Sequence, residues 1–507
     1  MILIVLFALA LSIILVNLFS KPNLPRRIRI AYPNTWGALI PPLQHTLIAS
    51  AIMSNEFEPL VQYGQDGVIL PLSCLSFEVS DDFKIFKFHI NTKKRFSDGT
   101  YLNSMIFKKS FEHGLKLQNL SHNQSALDGL YQLVGFDKFE KTGSISGIVS
   151  ASPEILELHY QKPFRKALEN LTGIRFSAYI NKSDNDFIGT GPWKIQNFPD
   201  KRKVVLVPNI YSDDPKNFEI EIAVEEDWLE KLKENSIDIA EIVDFNILDC
   251  SNLKQHNISC LLGEEESHTV VHLNQLENRF FSNKNNRKAI LYLLSELLKQ
   301  PEYQYRIGNY LNKIDMQTFL PFQKGRLLPE NILPKIEDGE KYVLDLIKNS
   351  KKNPIFFATA RKDLFIVDFL KSKGIHFSNN TGSFSFDDII KMGYKTSEPD
   401  ILFISFSIVS GDPDGLYHAL GANGAISFPM SQNIKITSLL EEGRALIEEK
   451  DIIKKYEELN YAIFEEVPIV HLGFQRQVSL YRSDNVKTLS PVVKRHDHRL
   501  NVYSPQE

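Results

Sequence analysis

The second half of the chain alternates between helical and extended patterning with no linker, and this alternation constrains the fold more than any other feature. Residues 286–300 put Ala289, Ile290, Leu293, Leu294, Leu297 and Leu298 on one helical stripe. Segments 342–347 and 364–373 read as helices bracketing an apolar strand at 355–358. A second apolar strand at 401–406 precedes helices at 438–448 and 452–464, and a strand at 469–472 closes the pattern. Strands interleaved with helices in this way point to α/β layers built on mixed sheets. With no linker between the layers, the expected lobes are joined by strands that cross from one to the other.

The first half carries the same elements more sparsely. A short strand at 27–32 ends on Tyr32 and enters a Pro-punctuated loop, 33–42, that contains Trp36. A helical stretch follows and stops near Pro59. At 83–90, Phe86, Phe88 and Ile90 share one face while Lys87 and His89 share the other, which predicts a half-buried strand. Ser97-Asp98-Gly99 supplies turn chemistry, and Asn103 and Ser104 are good N-caps for the next helix. Strands are expected at 156–160, 203–207, 218–224 and 237–242, with a helix around Trp228.

The amino terminus sets the compartment. Residues 2–19 are almost unbroken aliphatic and aromatic residues, interrupted by Ser12 and Asn17 and followed by Lys21, Arg26, Arg27 and Arg29. A run of this length lies at the lower edge of what spans a bilayer, and it lacks the polar stripe of a core helix. It reads as a signal peptide or an N-terminal membrane anchor occupying 1–20. No lipobox cysteine follows it. The protein is therefore expected to be periplasmic or otherwise extracytoplasmic, either soluble after cleavage or held by an uncleaved helix. Cys74, Cys250 and Cys260 are too few for a disulfide framework. Cys250 and Cys260 could pair across a short loop, or all three could be buried free thiols.

A net charge of -4 with scattered Lys and Arg argues against nucleic acid as a partner. Catalytic motifs are scarce. There is no P-loop and no H-E-x-x-H, and the segment 143–147 has Ile145 where a nucleophile-elbow serine would stand. Gly189-Thr190-Gly191-Pro192 imitates a phosphate-cradling turn, but Pro192 removes a backbone donor. Asp412-Pro413-Asp414-Gly415 lacks the remaining ligands of a calcium loop and is better read as a turn and helix cap. The 13 histidines do not cluster along the sequence, and His113, His418 and His471 read as structural residues. Neither a metal site nor a cofactor is expected, and no enzymatic set can be assembled.

The order of short motifs is more informative. Phe57-Glu58-Pro59-Leu60-Val61 is followed by Asp66-Gly67-Val68-Ile69-Leu70-Pro71 and then by Phe96-Ser97-Asp98-Gly99-Thr100-Tyr101-Leu102. Gly189-Thr190-Gly191-Pro192-Trp193, Ile237-Asp238-Ile239-Ala240, Leu273-Asn274, Arg287-Lys288-Ala289, Leu320-Pro321, Gly411-Asp412-Pro413-Asp414 and Val467-Pro468-Ile469-Val470 complete the series. In this order the chain resembles extracellular solute-binding protein family 5, the peptide- and nickel-binding receptors of ABC importers. Tyr101 and Asn235 depart from that pattern, standing where proline and glycine are usual.

The resemblance implies a two-lobed periplasmic-binding-protein-like α/β fold of the large type II cluster, with mixed sheets and an extra subdomain in lobe one. Lobe one would comprise 28–267 plus 476–507, lobe two 268–475, with the ligand in the cleft between them. It further implies a monomeric receptor that delivers a small solute or peptide-like ligand to an ABC permease in the membrane. A membrane-tethered sensory protein built on the same lobes is the alternative. Tyr32, Trp36, Arg361, Phe406, Ser407, Val409 and Asp412 are the candidate ligand-binding residues. Arg361 matches the arginine that anchors a ligand carboxylate, and Phe406 replaces a tryptophan wall. Val409 stands where peptide receptors place the aspartate that pairs with a free amino group, and valine cannot make that pair.

Overall fold

Strand Arg26–Tyr32 alternates apolar and basic residues, and each set finds its own partners. Ile28, Ile30 and Tyr32 are buried, while Arg27 reaches Glu219 at 2.6 Å and Glu221 at 2.8 Å, and Arg29 holds Asp238 at 2.9 Å. The arginines thus tie the strand to its two parallel neighbours, Phe218–Val224 and Ile239–Ile242. These relations come from a computed structural model. It describes residues 26–488 and 503–505, apart from 45, 65–67, 122–128, 184–185, 198–201, 243–249, 309–310, 312, 321–322, 329–338, 408–412, 423 and 425–426. The apolar run at 2–19, the Asp66-Gly67 turn, Pro321, Val409, Gly411 and Asp412 lie outside the described residues, as does half of the C-terminal part assigned to lobe one.

Among the described residues the largest sheet has eleven strands and runs through both lobes. Its lobe-one half orders Trp193–Asn197, Lys203–Pro208, Phe218–Val224, Arg26–Tyr32 and Ile239–Ile242. Its lobe-two half orders Ile401–Ser407, Phe357–Thr359 and Gly382–Ser383. Two long antiparallel strands, Ile258–Leu273 and Ile469–Arg482, join the halves. Their outer portions pair Ile258 with Arg482 and Leu262 with Val478 beside lobe one; their other portions pair His268 with Phe474 and His272 with Ile469 in lobe two. Register shifts fall between Leu262 and Glu265, between Glu265 and Ser267, and between Thr269 and Val270. Such bulges bend and twist a ladder, so the sheet changes direction where the lobes meet.

The apolar cores divide at the same place. One set of clusters draws on residues between Ile28 and Leu261 together with Val478, Leu480 and Val486. The other draws on residues between Val270 and Leu472. Helix Lys284–Leu297 covers the second sheet half with the stripe predicted for 286–300, and Asn283 caps its first turn. Helix Glu449–Glu466 extends the segment expected at 452–464. Lobe one also carries an antiparallel sheet, ordered Cys74–Val79, Ile85–Ile90, Ile155–His159, Ile148–Ser152, which packs its Phe86, Phe88 and Ile90 face under helix Ser104–Ser121. The expected turn precedes that helix: Gly99 takes φ +87° and Asp98 accepts from Thr100 N at 2.9 Å.

The glycines of Gly189-Thr190-Gly191 serve packing. A Cβ at Gly189 would lie 2.0 Å from the Glu56 carbonyl oxygen, and one at Gly191 would lie 2.4 Å from that of Asn55. Gly191 N and Trp193 N donate to those two carbonyls in turn. The motif is therefore a strut between two loops. Cys250 and Cys260 form a disulfide at the start of the first crossing strand, and Cys74 is a buried free thiol. Of the two sequence alternatives for the cysteines, the pairing is the one the fold adopts.

The same strut buries two acidic side chains with different fates. Glu58 pairs with Lys94 Nζ and Thr190 Oγ1, both at 2.8 Å. Glu56 accepts from Ile195 N at 2.8 Å through one oxygen, while its other oxygen is buried without a hydrogen-bond partner. Burial pushes the Glu56 carboxyl up to about 8, against backbone N–H groups that favour the charged form. A carboxyl raised in the folded state favours folding fully below its unfolded value and loses that contribution as pH rises through the folded one. The wild type should therefore lose stability relative to Glu56→Gln between about pH 4.5 and about 8, by up to about 1.4 kcal/mol per pH unit. Urea unfolding of both proteins at pH 5 and pH 8 measures this, and a pH-independent difference would refute it.

Candidate functional site

Parallel strands deliver their carboxyl ends to the junction between the lobes, the place where open α/β sheets gather polar groups. On the lobe-two side, Phe357–Thr359 ends two residues before Arg361, whose N donates to Thr359 Oγ1 at 3.1 Å. The Arg361 guanidinium is largely buried. It donates to Ser405 Oγ at 2.6 Å and to Gln475 Oε1 at 3.5 Å, and it lies 5.0 Å from the Phe403 ring centroid. Ser405 in turn donates to Gln475 at 3.0 Å and meets Thr269 Oγ1 at 2.9 Å. Ser405 and Gln475 thus help to orient the guanidinium beside the bulged segment of the crossing strands. The planar fork of a guanidinium suits a carboxylate.

On the lobe-one side, Tyr32 closes its strand and shares its sheet face with Ile28 and Ile30 in the core. Burial, reinforced by the nearby Glu241 carboxylate, raises its phenol well above the ordinary value and keeps it neutral. Glu241 is itself buried and accepts from Ser479 Oγ at 2.6 Å, one residue short of where Ile242 meets the second crossing strand. Trp36 is 2% exposed and packs in the same core, with its carbonyl accepting from Thr46 Oγ1. Tyr32 and Trp36 are thus brought together in lobe one. Glu241, Ser405 and Gln475 are junction residues that sequence reading missed, because nothing distinguishes a buried polar residue at a strand end without the pairing.

Phe406 does not join Arg361. Alternation along Ile401–Ser407 sends Ser405 to one face and Phe406 to the other, where its ring stacks on His268 at 5.0 Å and 10°. His268 contacts His471 at 3.2 Å, and His471 reaches the Asp315 carbonyl. The histidines scattered in sequence are therefore partly gathered by the crossing strands. Desolvation lowers His471 to about 4 and His272 to about 3, so both stay neutral in the fold. Among the described residues no group of three or more His, Cys, Asp or Glu is placed to hold a metal ion. Ser407 has its backbone in the strand, paired with Ser267.

The Gly411-Asp412-Pro413-Asp414 motif leads into a short helical turn, Pro413–Leu416. Asp414 meets Arg444 in a bidentate pair at 3.0 and 3.1 Å, with both side chains almost fully buried. The motif's second carboxylate thus anchors helix Ile434–Ala445 through an ion pair, and among the described residues it caps no helix. A buried pair broken from one side leaves an uncompensated charge. Asp414→Ala and Arg444→Ala should each lower stability by about 3–5 kcal/mol in urea unfolding, and a loss below about 1 kcal/mol would show that the pair is not buried in solution.

Residues 69–295 match the model of the bacterial extracellular solute-binding proteins, family 5 middle. A nickel-binding periplasmic protein of Escherichia coli K12 is 29% identical over 180 residues, which span 34% of this chain and 32% of that protein. OppA from Haemophilus influenzae, solved with the peptide RPPGFSPFR, superposes with a TM-score of 0.81 at 16% identity over 95% of this chain and 99% of that one. The protein AgaA from A. tumefaciens R10, solved with agropinic acid, gives a TM-score of 0.74 at 17% identity over 95% and 99% of the two chains. The fold is thus the two-lobed periplasmic-binding-protein fold over nearly the whole chain. Over its segment 69–295, rather less than half of its length, the chain is similar to the bacterial extracellular solute-binding proteins, family 5.

Proposed function

We propose that the chain is the extracytoplasmic receptor of an ABC importer, binding a small carboxylate-bearing solute between its lobes and handing it to a membrane permease without turnover. The observation that carries this reading is the pair of crossing strands, bulged between Leu262 and Ser267, with strand-end polar groups on both sides of the bend. Two rigid cores joined by two bent strands can rotate about the bend, and a solute touching both sides stabilises the closed arrangement. On this reading the lobes are 28–267 with 476–507, and 268–475, and the receptor works as a monomer. The apolar run at 2–19 exports or tethers it. The relatives bind nickel, a peptide and agropinic acid, so the scaffold does not choose the solute.

Arg361 is assigned the solute carboxylate, on the geometry of its Ser405 and Gln475 supports and on its match to the family's anchoring arginine. Tyr32, Trp36, Ser407 and Asp412 are proposed as wall residues, whereas Phe406, on the opposite face of its strand from Ser405, is not. Val409 takes the place of an amine-pairing aspartate, so burying a free ammonium there would go uncompensated.

Protein purified from the organism that makes it should release a bound small molecule on denaturation, identifiable by mass spectrometry. That molecule should raise the melting temperature of the wild type and not of Arg361→Met, which keeps the side chain's bulk. Recovery of no solute, together with no melting shift across peptides, opines and chelated nickel, would overturn the receptor reading. Trialanine, with its free amino terminus, should leave the melting temperature unchanged, and a clear upward shift would remove the role given to Val409.

A further inference from the structure

We infer that Tyr131 is an affinity-determining residue acting apart from the solute: its hydroxyl is the centre of a latch that holds the two lobes closed. The inference rests on the receptor reading above for its consequence, and on the cross-lobe geometry for its existence. Tyr131 lies on a single helical turn, Leu130–Gln132, of the lobe-one subdomain. Its Oη donates to Tyr417 Oη at 2.8 Å and accepts from Arg444 Nη1 at 3.2 Å, both in lobe two, and from its neighbour Gln132 at 2.9 Å. One donated and two accepted bonds use the full capacity of a phenol oxygen. The two tyrosine rings are parallel at 6.3 Å, and His418 Nε2 meets Asn170 Oδ1 at 3.1 Å beside them.

The lobe-two half of this contact is assembled within its own lobe. Asp414 compensates the Arg444 charge, and the Tyr417 ring lies 3.5 Å from the guanidinium carbon, so the surface offered to Tyr131 is preorganised. Lobe one adds the Phe164 ring at 5.1 Å on Arg444. Separation of the lobes would break hydrogen bonds that water can replace. Each such bond contributes modestly, so the contact can be made and broken repeatedly. The contact is direct, side chain to side chain, and no solute is required to bridge it. It therefore biases closure equally for every solute, and apparent affinity scales with the closed fraction it maintains.

Nitroxide labels on Glu140→Cys and Lys450→Cys, both exposed and in different lobes, report lobe separation by pulsed electron paramagnetic resonance on the full-length chain with no solute added. Cys74 is buried and the other two cysteines are paired, so labelling is directed to the new sites. Tyr131→Phe keeps the ring and removes the three hydrogen bonds. The open-to-closed ratio should rise about tenfold in Tyr131→Phe, equivalent to about 1.4 kcal/mol, and further in Tyr131→Phe/Asn170→Ala. A distance distribution identical to wild type in both variants overturns the latch. Because no solute enters this measurement, it can fail while a solute still co-purifies, which refutes the latch alone; loss of the co-purifying solute refutes only the receptor reading.

Discussion

The antiparallel pairing of Ile258–Leu273 with Ile469–Arg482 is the constraint on which the rest of the structure depends. These two strands pair with each other from Ile258 to His272, and each also borders a different part of the sheet. Ile239–Ile242 attaches lobe one to the second strand, and Ile401–Ser407 attaches lobe two to the first. Every other sheet strand is reached through them. Both lobes are therefore fixed in sequence by where the two strands bend, and the core clusters change from one set to the other at that point.

The bend also accounts for the chemistry found there. A bulge leaves backbone and side-chain groups out of the regular ladder, and parallel strands present their carboxyl ends toward it. Buried polar groups must then be satisfied locally or by a bound molecule. Arg361 with Ser405, Gln475 and Thr269 on one side, and Glu241 with Ser479 near Tyr32 on the other, are such groups. The opposite face of the same lobe-two sheet is neutral by contrast: His272 and His471 stay uncharged among Phe406, Phe428 and Phe474. Strand alternation thus separates a polar face carrying Ser405 beside Arg361 from an aromatic face packed inside the lobe.

Much of this was legible in the sequence where periodicity had one clear face. Phe86, Phe88 and Ile90, the stripe of Lys284–Leu297 and the strand Phe218–Val224 all stand where their patterns put them. The first crossing strand was not foreseen, because Gly263-Glu264-Glu265-Glu266 interrupts its apolar residues at the bulge, and only the beginning of the second was read. The same polar interruption that makes the strands useful hides them from pattern reading. Tyr131 left no local signal either. Its partners, Tyr417 and Arg444, lie hundreds of residues away, and a lone tyrosine after Gly129 and Leu130 reads as an ordinary turn.

Hinge and latch act on different terms of one equilibrium. The bulged strands set which arrangements are reachable, since closure must pass through a rotation that their hydrogen bonds permit. Cross-lobe contacts around Tyr131 set the free-energy difference between those arrangements before any solute arrives. A solute can move that difference only by the amount it binds the closed form better than the open one. A receptor with a weak latch must spend solute contacts on closing, whereas one with a strong latch gains affinity but releases slowly. Polar contacts of intermediate strength, built on a preorganised Asp414–Arg444 pair, place this chain between those limits and leave discrimination among solutes to the residues at the strand ends.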